Sequence, residues 1–85
     1  MPRYFFHAED HRMLTDTEGV ELDGLEAAKN EAVHRACKLL TADPSMLWET
    51  KRWRLLTTDA DARILFTIEI RPEAGVNVIP WRASA

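Results

Sequence analysis

Between Arg63 and Arg71 the chain alternates without interruption, with Ile64, Phe66, Ile68 and Ile70 on one side and Leu65, Thr67, Glu69 and Arg71 on the other. A period of two belongs to a β-strand with one face turned to a core, and no helix satisfies it. Everything else in the chain must therefore supply sheet partners for this strand and a layer to cover its apolar face. With 85 residues there is room for one core only. A chain of that size buries roughly two-thirds of its unfolded surface.

The nearest partner precedes it. Arg52 to Thr58 alternates as well, with Trp53, Leu55 and Thr57 on one face and Arg54 and Leu56 on the other, and Asp59 to Ala62 supplies the turn of a hairpin. A second strand pair is expected at the other end. Arg3 to Ala8 is short and aromatic, with Tyr4, Phe6 and Ala8 opposed to Phe5 and His7. A following strand is predicted from about Arg12 to Asp16, with a break at Glu18 and Gly19 before Val20 and Leu22 lead onward.

The covering layer lies between the two pairs. Asp23 followed three positions later by Glu26 predicts a helix start with a capping box. Stepping by about 100° per residue places Leu25, Ala28, Ala32, Ala36, Leu39 and Leu40 on one stripe, with Val33 at its edge and Ala27, Glu31, His34 and Lys38 away from it. Alanine lets such a helix approach a sheet closely. Pro44 predicts its end near Thr41 or Ala42, followed by a connection from Asp43 to Trp48. The expected fold is α+β in the order ββαββ: antiparallel strand pairs packed on one amphipathic helix, as a single domain over residues 1–72. Residues 73–85 are expected to form a C-terminal tail or arm, with an extra strand in the segment VNVIPW.

Composition sets limits on function. The fractions of apolar and charged residues, 46% and 29%, are those of an ordinary globular chain. The apolar runs are too short for a membrane span, and the start lacks the pattern of a secretory signal. With one cysteine, Cys37, no intramolecular disulfide is available. These features lead to the expectation of a cytoplasmic protein. The net charge of −3 is unevenly placed: Glu9, Asp10, Asp16, Glu18, Glu21 and Asp23 crowd the first third against Arg12, while Lys51, Arg52 and Arg54 flank Trp53.

Several groups bear reactive side chains. His7, Glu9 and His11 suggest metal ligands, but no fourth ligand is identifiable, so no metal or other cofactor is expected. His34 and Cys37 are a helical turn apart without an orienting third group, which reads as a surface pair. Pro2, once exposed by methionine removal, would supply the low-pKa amine used by amino-terminal-proline tautomerases, an enzymatic alternative. Arg52 and Arg54 beside a tryptophan suggest nucleic-acid contact, although alternation turns Trp53 toward the core and the chain is acidic overall. One helix covers one sheet face, which leaves Phe5, Leu56 and Leu65 on the other, and this apolar set predicts a homodimer face.

The opening Met-Pro-Arg-Tyr-Phe-Phe, then Glu18-Gly19-Val20-Glu21-Leu22, then Leu25-Glu26-Ala27-Ala28 with Glu31-Ala32, resembles a family of short proteins common in alphaproteobacteria and known only as a domain of unknown function. The resemblance covers most of residues 1–70 and implies a strand pair, a helix and a second strand pair. His11, where the family usually has a turn glycine, and the tail after Pro72 depart from the pattern. The helix entry Leu25-Glu26-Ala27-Ala28 is more distantly similar to antitoxin domains that neutralise RNA-cleaving toxins. The family brings no activity, so no site residue follows from it. With no convergent polar constellation, the expected function is a non-enzymatic protein-binding or regulatory module of inhibitor or antitoxin type. It would present the acids from Glu9 to Asp23 to a protein partner.

Overall fold

The computed structural model describes residues 2–75. Along the chain run β1 (Arg3–Glu9), β2 (Met13–Leu14), β3 (Val20–Glu21), α1 (Leu25–Ala42), α2 (Pro44–Thr50), β4 (Trp53–Thr58) and β5 (Ile64–Ile70). The strands form one antiparallel sheet in the order β2-β1-β4-β5, with β3 also paired to β1. The fold is α+β. The two expected hairpins are fused, because β1 pairs directly with β4 from Phe5 opposite Thr58 to Glu9 opposite Arg54. The extra strand expected in VNVIPW, and all of the predicted tail beyond Gly75, lie outside the described residues.

Alternation in β1 and β4 builds the core. Tyr4, Phe6 and Ala8 join Trp53 and Leu55 beneath Ala28, Ala32 and Ala36, and all are buried. Of α1, only those three alanines are buried. Leu25 and Leu39, placed on the stripe by periodicity, remain 46% and 39% exposed. The reason is steric: a helix resting on methyl groups lies close to the strands, so larger residues at its ends overhang them.

Four local expectations are corrected. The predicted strand from Arg12 to Asp16 is reduced to Met13–Leu14, and Val20–Glu21 forms a separate strand on the other half of β1. The capping box does not form, because Gly24 occupies the N-cap position in extended backbone and no side chain caps the helix. Glu26 turns instead toward Lys29, 3.5 Å away. The expected connection from Asp43 to Trp48 is helical: Pro44 ends α1 and also occupies the first turn of α2, where a missing N–H is no loss. Met46 and Leu47 of α2 pack against the core. Finally, Ile64 is 60% exposed despite its place in the alternation, because a register shift opposite Thr57 and Thr58 interrupts the ladder there.

The β4–β5 turn is held by Asp59. Its carboxylate accepts the N–H groups of Asp61 at 2.9 Å and Arg63 at 3.0 Å, and the Arg63 guanidinium at 2.8 Å. The Arg63 amide is the main reason that this carboxyl titrates below its ordinary value; desolvation opposes the shift, and the Arg63 guanidinium and the Asp61 amide reinforce it. Ala62 takes a left-handed conformation, φ 63°, to close the turn.

Thr57 faces the core with 0% exposure, and its hydroxyl has no hydrogen-bond partner among the described residues. A buried, unpaired hydroxyl is a net loss that a methyl group of similar shape avoids. Thr57→Val is expected to raise stability by about 1 kcal/mol. A urea midpoint that moves upward at unchanged slope is the measurement that checks it.

Candidate functional site

The inner length of β1 poses a hydrogen-bonding problem. On the edge away from β4, β3 pairs with Arg3 and Tyr4, and β2 pairs with Ala8 and Glu9, which leaves Phe5 to His7 without a strand alongside. Asp16 fills the gap. Its Oδ2 accepts the Phe6 N–H at 3.1 Å, while its Oδ1 accepts the N–H groups of Glu18 at 3.0 Å and Gly19 at 3.1 Å. The same residue's amide donates to His7 Nδ1 at 3.1 Å. Because Nδ1 accepts, the imidazole carries its proton on Nε2, which lies 3.0 Å from Thr58 Oγ1 on β4. Asp16 and His7 thus tie the β2–β3 loop across β1 to β4.

Gly19 is the position where this loop needs glycine. Its φ is +69°, and a Cβ there would lie 2.8 Å from the Tyr4 carbonyl oxygen and 2.8 Å from Phe5 Cε2. Arg35 of α1 completes the cluster. Its guanidinium stacks 4.8 Å from the centroid of the Phe6 ring, donates to Glu31 at 2.8 Å and approaches Asp16 at 3.9 Å. Burial pushes the Asp16 carboxyl up, but the amides of Gly19, Phe6 and Glu18 and the charge of Arg35 together outweigh it and hold the group below the ordinary carboxylate value.

The acids singled out from the sequence therefore divide. Glu9 is taken by Arg54, whose Nε donates to Glu9 Oε1 at 2.6 Å. Asp10 accepts the Arg12 amide at 2.9 Å, its side chain only 5% exposed. Asp16 is the clamp. These three acids are engaged by groups of the chain itself. Glu18, Glu21 and Asp23 stay exposed, and Glu21 lies 3.8 Å from Arg3. Met13 and Leu14 of β2, which pairs at the other end of β1, are 47% and 48% exposed.

The other candidates fall elsewhere. Arg54, expected to be free for nucleic acid, is paired with Glu9, and Trp53 is buried, so of that segment Lys51 and Arg52 are exposed. Phe5, Leu56 and Leu65 lie on three neighbouring strands; Leu56 is already buried within the chain, Phe5 is half-buried and Leu65 is exposed. Both ring nitrogens of His7 are engaged, and no group of three or more metal-binding side chains occurs among the described residues. Cys37 is exposed on α1, where it lines a shallow groove with His34, Lys38, Thr41 and Ala42. Pro2 is exposed, and its carbonyl accepts the Leu22 N–H at 3.0 Å. A cleft of about 330 Å³ runs beside α1, floored by Phe6 and Leu55 and rimmed by Arg35, Lys38 and Leu39. Arg35 went unnoticed in the sequence reading. Its spacing from Glu31 is visible there, but its contacts with Phe6 and Asp16 need the tertiary fold.

Asp16→Asn keeps the size of the side chain but removes its charge and replaces one of its two accepting oxygens by an NH2 group, so at least one backbone N–H loses its acceptor. It is expected to lower stability at neutral pH by about 2 kcal/mol, through weakened amide bonds and the loss of the Arg35 pair. The sign of the pH dependence follows from the depressed folded-state value. The contribution of Asp16 is fully present above the unfolded value near 3.8 and is lost as pH falls from there through the folded value. Urea titrations from neutral to strongly acidic pH should show the wild type converging on the variant over that window; parallel profiles would exclude the clamp role.

Comparison with known proteins gives one assignment. No curated protein and no solved structure matches the chain. The family model that does match, described as a domain of unknown function (DUF6894), spans residues 3–71, from the first residue of β1 to the residue after β5, and thus takes in the whole Asp16 clamp. The chain belongs to the DUF6894 family.

Proposed function

We propose that this chain is a small protein-binding module of regulatory or inhibitory type, acting without catalysis. Its contact surface is the sheet edge made by β2, the following loop and the entry to α1. The observation that carries this reading is the pair Met13 and Leu14, about half exposed on consecutive residues of an edge strand. The two side chains leave the strand on opposite faces, and a partner that closes over this edge would remove both from water. Exposed Glu18 and Asp23 continue the same chain segment, together with Leu25, 46% exposed. An edge with apolar side chains at one end and acids at the other is complementary to a partner whose own surface is apolar and basic. A nucleic-acid-binding protein covered at its binding face fits that description.

The rest of the molecule supports the same reading. The Asp16 clamp fixes the loop to β1 and β4, so the surface is pre-organised and little ordering entropy is lost on binding. His7, the one imidazole in the cluster, has both nitrogens committed to structural bonds.

The test is affinity capture by the full chain from nuclease-treated lysate of its source cells, with two variants in parallel. These are Leu14→Glu and the triple charge reversal Glu18→Lys, Glu21→Lys, Asp23→Lys. A partner retained stoichiometrically by the wild type should fall at least about tenfold with either variant, at unchanged circular dichroism. Equal capture by all three proteins would overturn the proposal.

A further inference from the structure

The two long edges of the sheet are treated differently. On the β1 side, pairing is ended by strands of two residues each, and the exposed stretch between them is closed by the Asp16 carboxylate. Short edge strands and an acid laid against the backbone are devices that discourage further pairing. On the other side β5 runs for seven residues, and no strand among the described residues pairs with its outer edge. Within Ile64–Ile70 there is no proline and no lysine, and the sole charged residue is Glu69, already bridged to Arg71 at 2.7 Å. The bulge beside Thr57 and Thr58 affects only the first residues of β5, so Phe66 to Ile70 is a regular ladder. On its helix-facing side Phe66, Ile68 and Ile70 are packed against the core yet only partly buried.

The geometry points to a second copy of this chain as the occupant of that edge, with β5 pairing antiparallel to β5 about a two-fold axis through Ile68. The regular segment then matches itself in full. Ile68 meets Ile68 of the second copy and Phe66 meets Ile70, which extends the half-buried apolar row across the junction. On the opposite face Thr67 meets Glu69, so no like charges are opposed. The axis stands perpendicular to the sheet, which keeps both helical layers on one side and gives a closed, isologous pair. This surface is separate from the β2 edge, so dimer formation and partner capture can fail independently.

Sedimentation equilibrium of the full chain over a range of concentrations tests it, with two variants at one exposed position. The wild type should move reversibly from 9.8 kDa toward twice that mass. Thr67→Glu opposes two carboxylates at each end of the junction and should raise the dissociation constant about tenfold, an effect that salt diminishes. Thr67→Lys opposes a carboxylate with an ammonium and should leave the constant unchanged or lower it. Circular dichroism establishes that both variants keep the fold. A wild type that stays monomeric at its highest soluble concentration overturns the inference, and so does a dimer that responds equally to the two substitutions.

Discussion

The amide of Phe6 governs much of this molecule. It lies on the inner length of β1 where no strand runs alongside, and a donor buried there without a partner would cost about 1–3 kcal/mol. One carboxylate oxygen of Asp16 resolves it. The other oxygen must then collect the amides of Glu18 and Gly19, which forces the tight turn and the left-handed glycine at the Tyr4 carbonyl. The charge that makes these bonds strong needs a counterion in a partly desolvated place. Arg35 supplies it from α1 while lying on the Phe6 ring whose amide began the sequence. Loop, central strand and helix are thus coupled through a single acid.

The second determinant is the alanine row of α1. Ala28 and Ala32 are wholly buried and Ala36 nearly so, which sets the helix close to β1 and β4. Close approach gives good packing over a narrow width. α2 widens the cover with Met46 and Leu47, yet Phe66, Ile68 and Ile70 of β5 remain partly buried at the margin. A sheet broader than its helical layer follows from small residues at the contact, and the unfinished margin falls on the edge strand with the strongest β-forming sequence.

Which features were legible in the sequence follows from how many residues each one repeats over. β4, β5 and α1 carry several periods of their pattern, so Trp53–Thr58, Ile64–Ile70 and Leu25–Ala42 could be read within a residue or two. β2 and β3 have two residues each, too few to show any period, and their register depends on Asp16 rather than on themselves. α2 was hidden because Pro44 reads as a stop from one side and as a first-turn residue from the other. The capping box failed because a start at Leu25 puts Gly24, not Asp23, at the cap position. Of the surface residues, the acidic bias of the first third was plain, but its division into structural and exposed members was not. That Glu9 faces Arg54 depends on the β1–β4 register, which joins residues separated by most of the chain.

That division changes what the chain's charge means. Counted from the sequence, the first third is strongly acidic and Lys51 to Arg54 basic, as though each were a free field. In the fold, the strongest members of the two groups neutralise one another at Glu9 and Arg54, and Asp16 is matched by Arg35. Of the remaining acids, Glu21 lies near Arg3, and Glu18 and Asp23 are exposed on the segment around β3, at the end of β1 away from Met13 and Leu14, while Lys51 and Arg52 stand where α2 leads into β4. Exposed single charges contribute little to stability, so nothing in the fold requires them to be where they are. Their effect is on what approaches the surface: within about one Debye length an exposed acid attracts cationic groups and repels anionic ones. The internal pairs hold the shape, and the exposed charges make up the field that the surface presents to solvent.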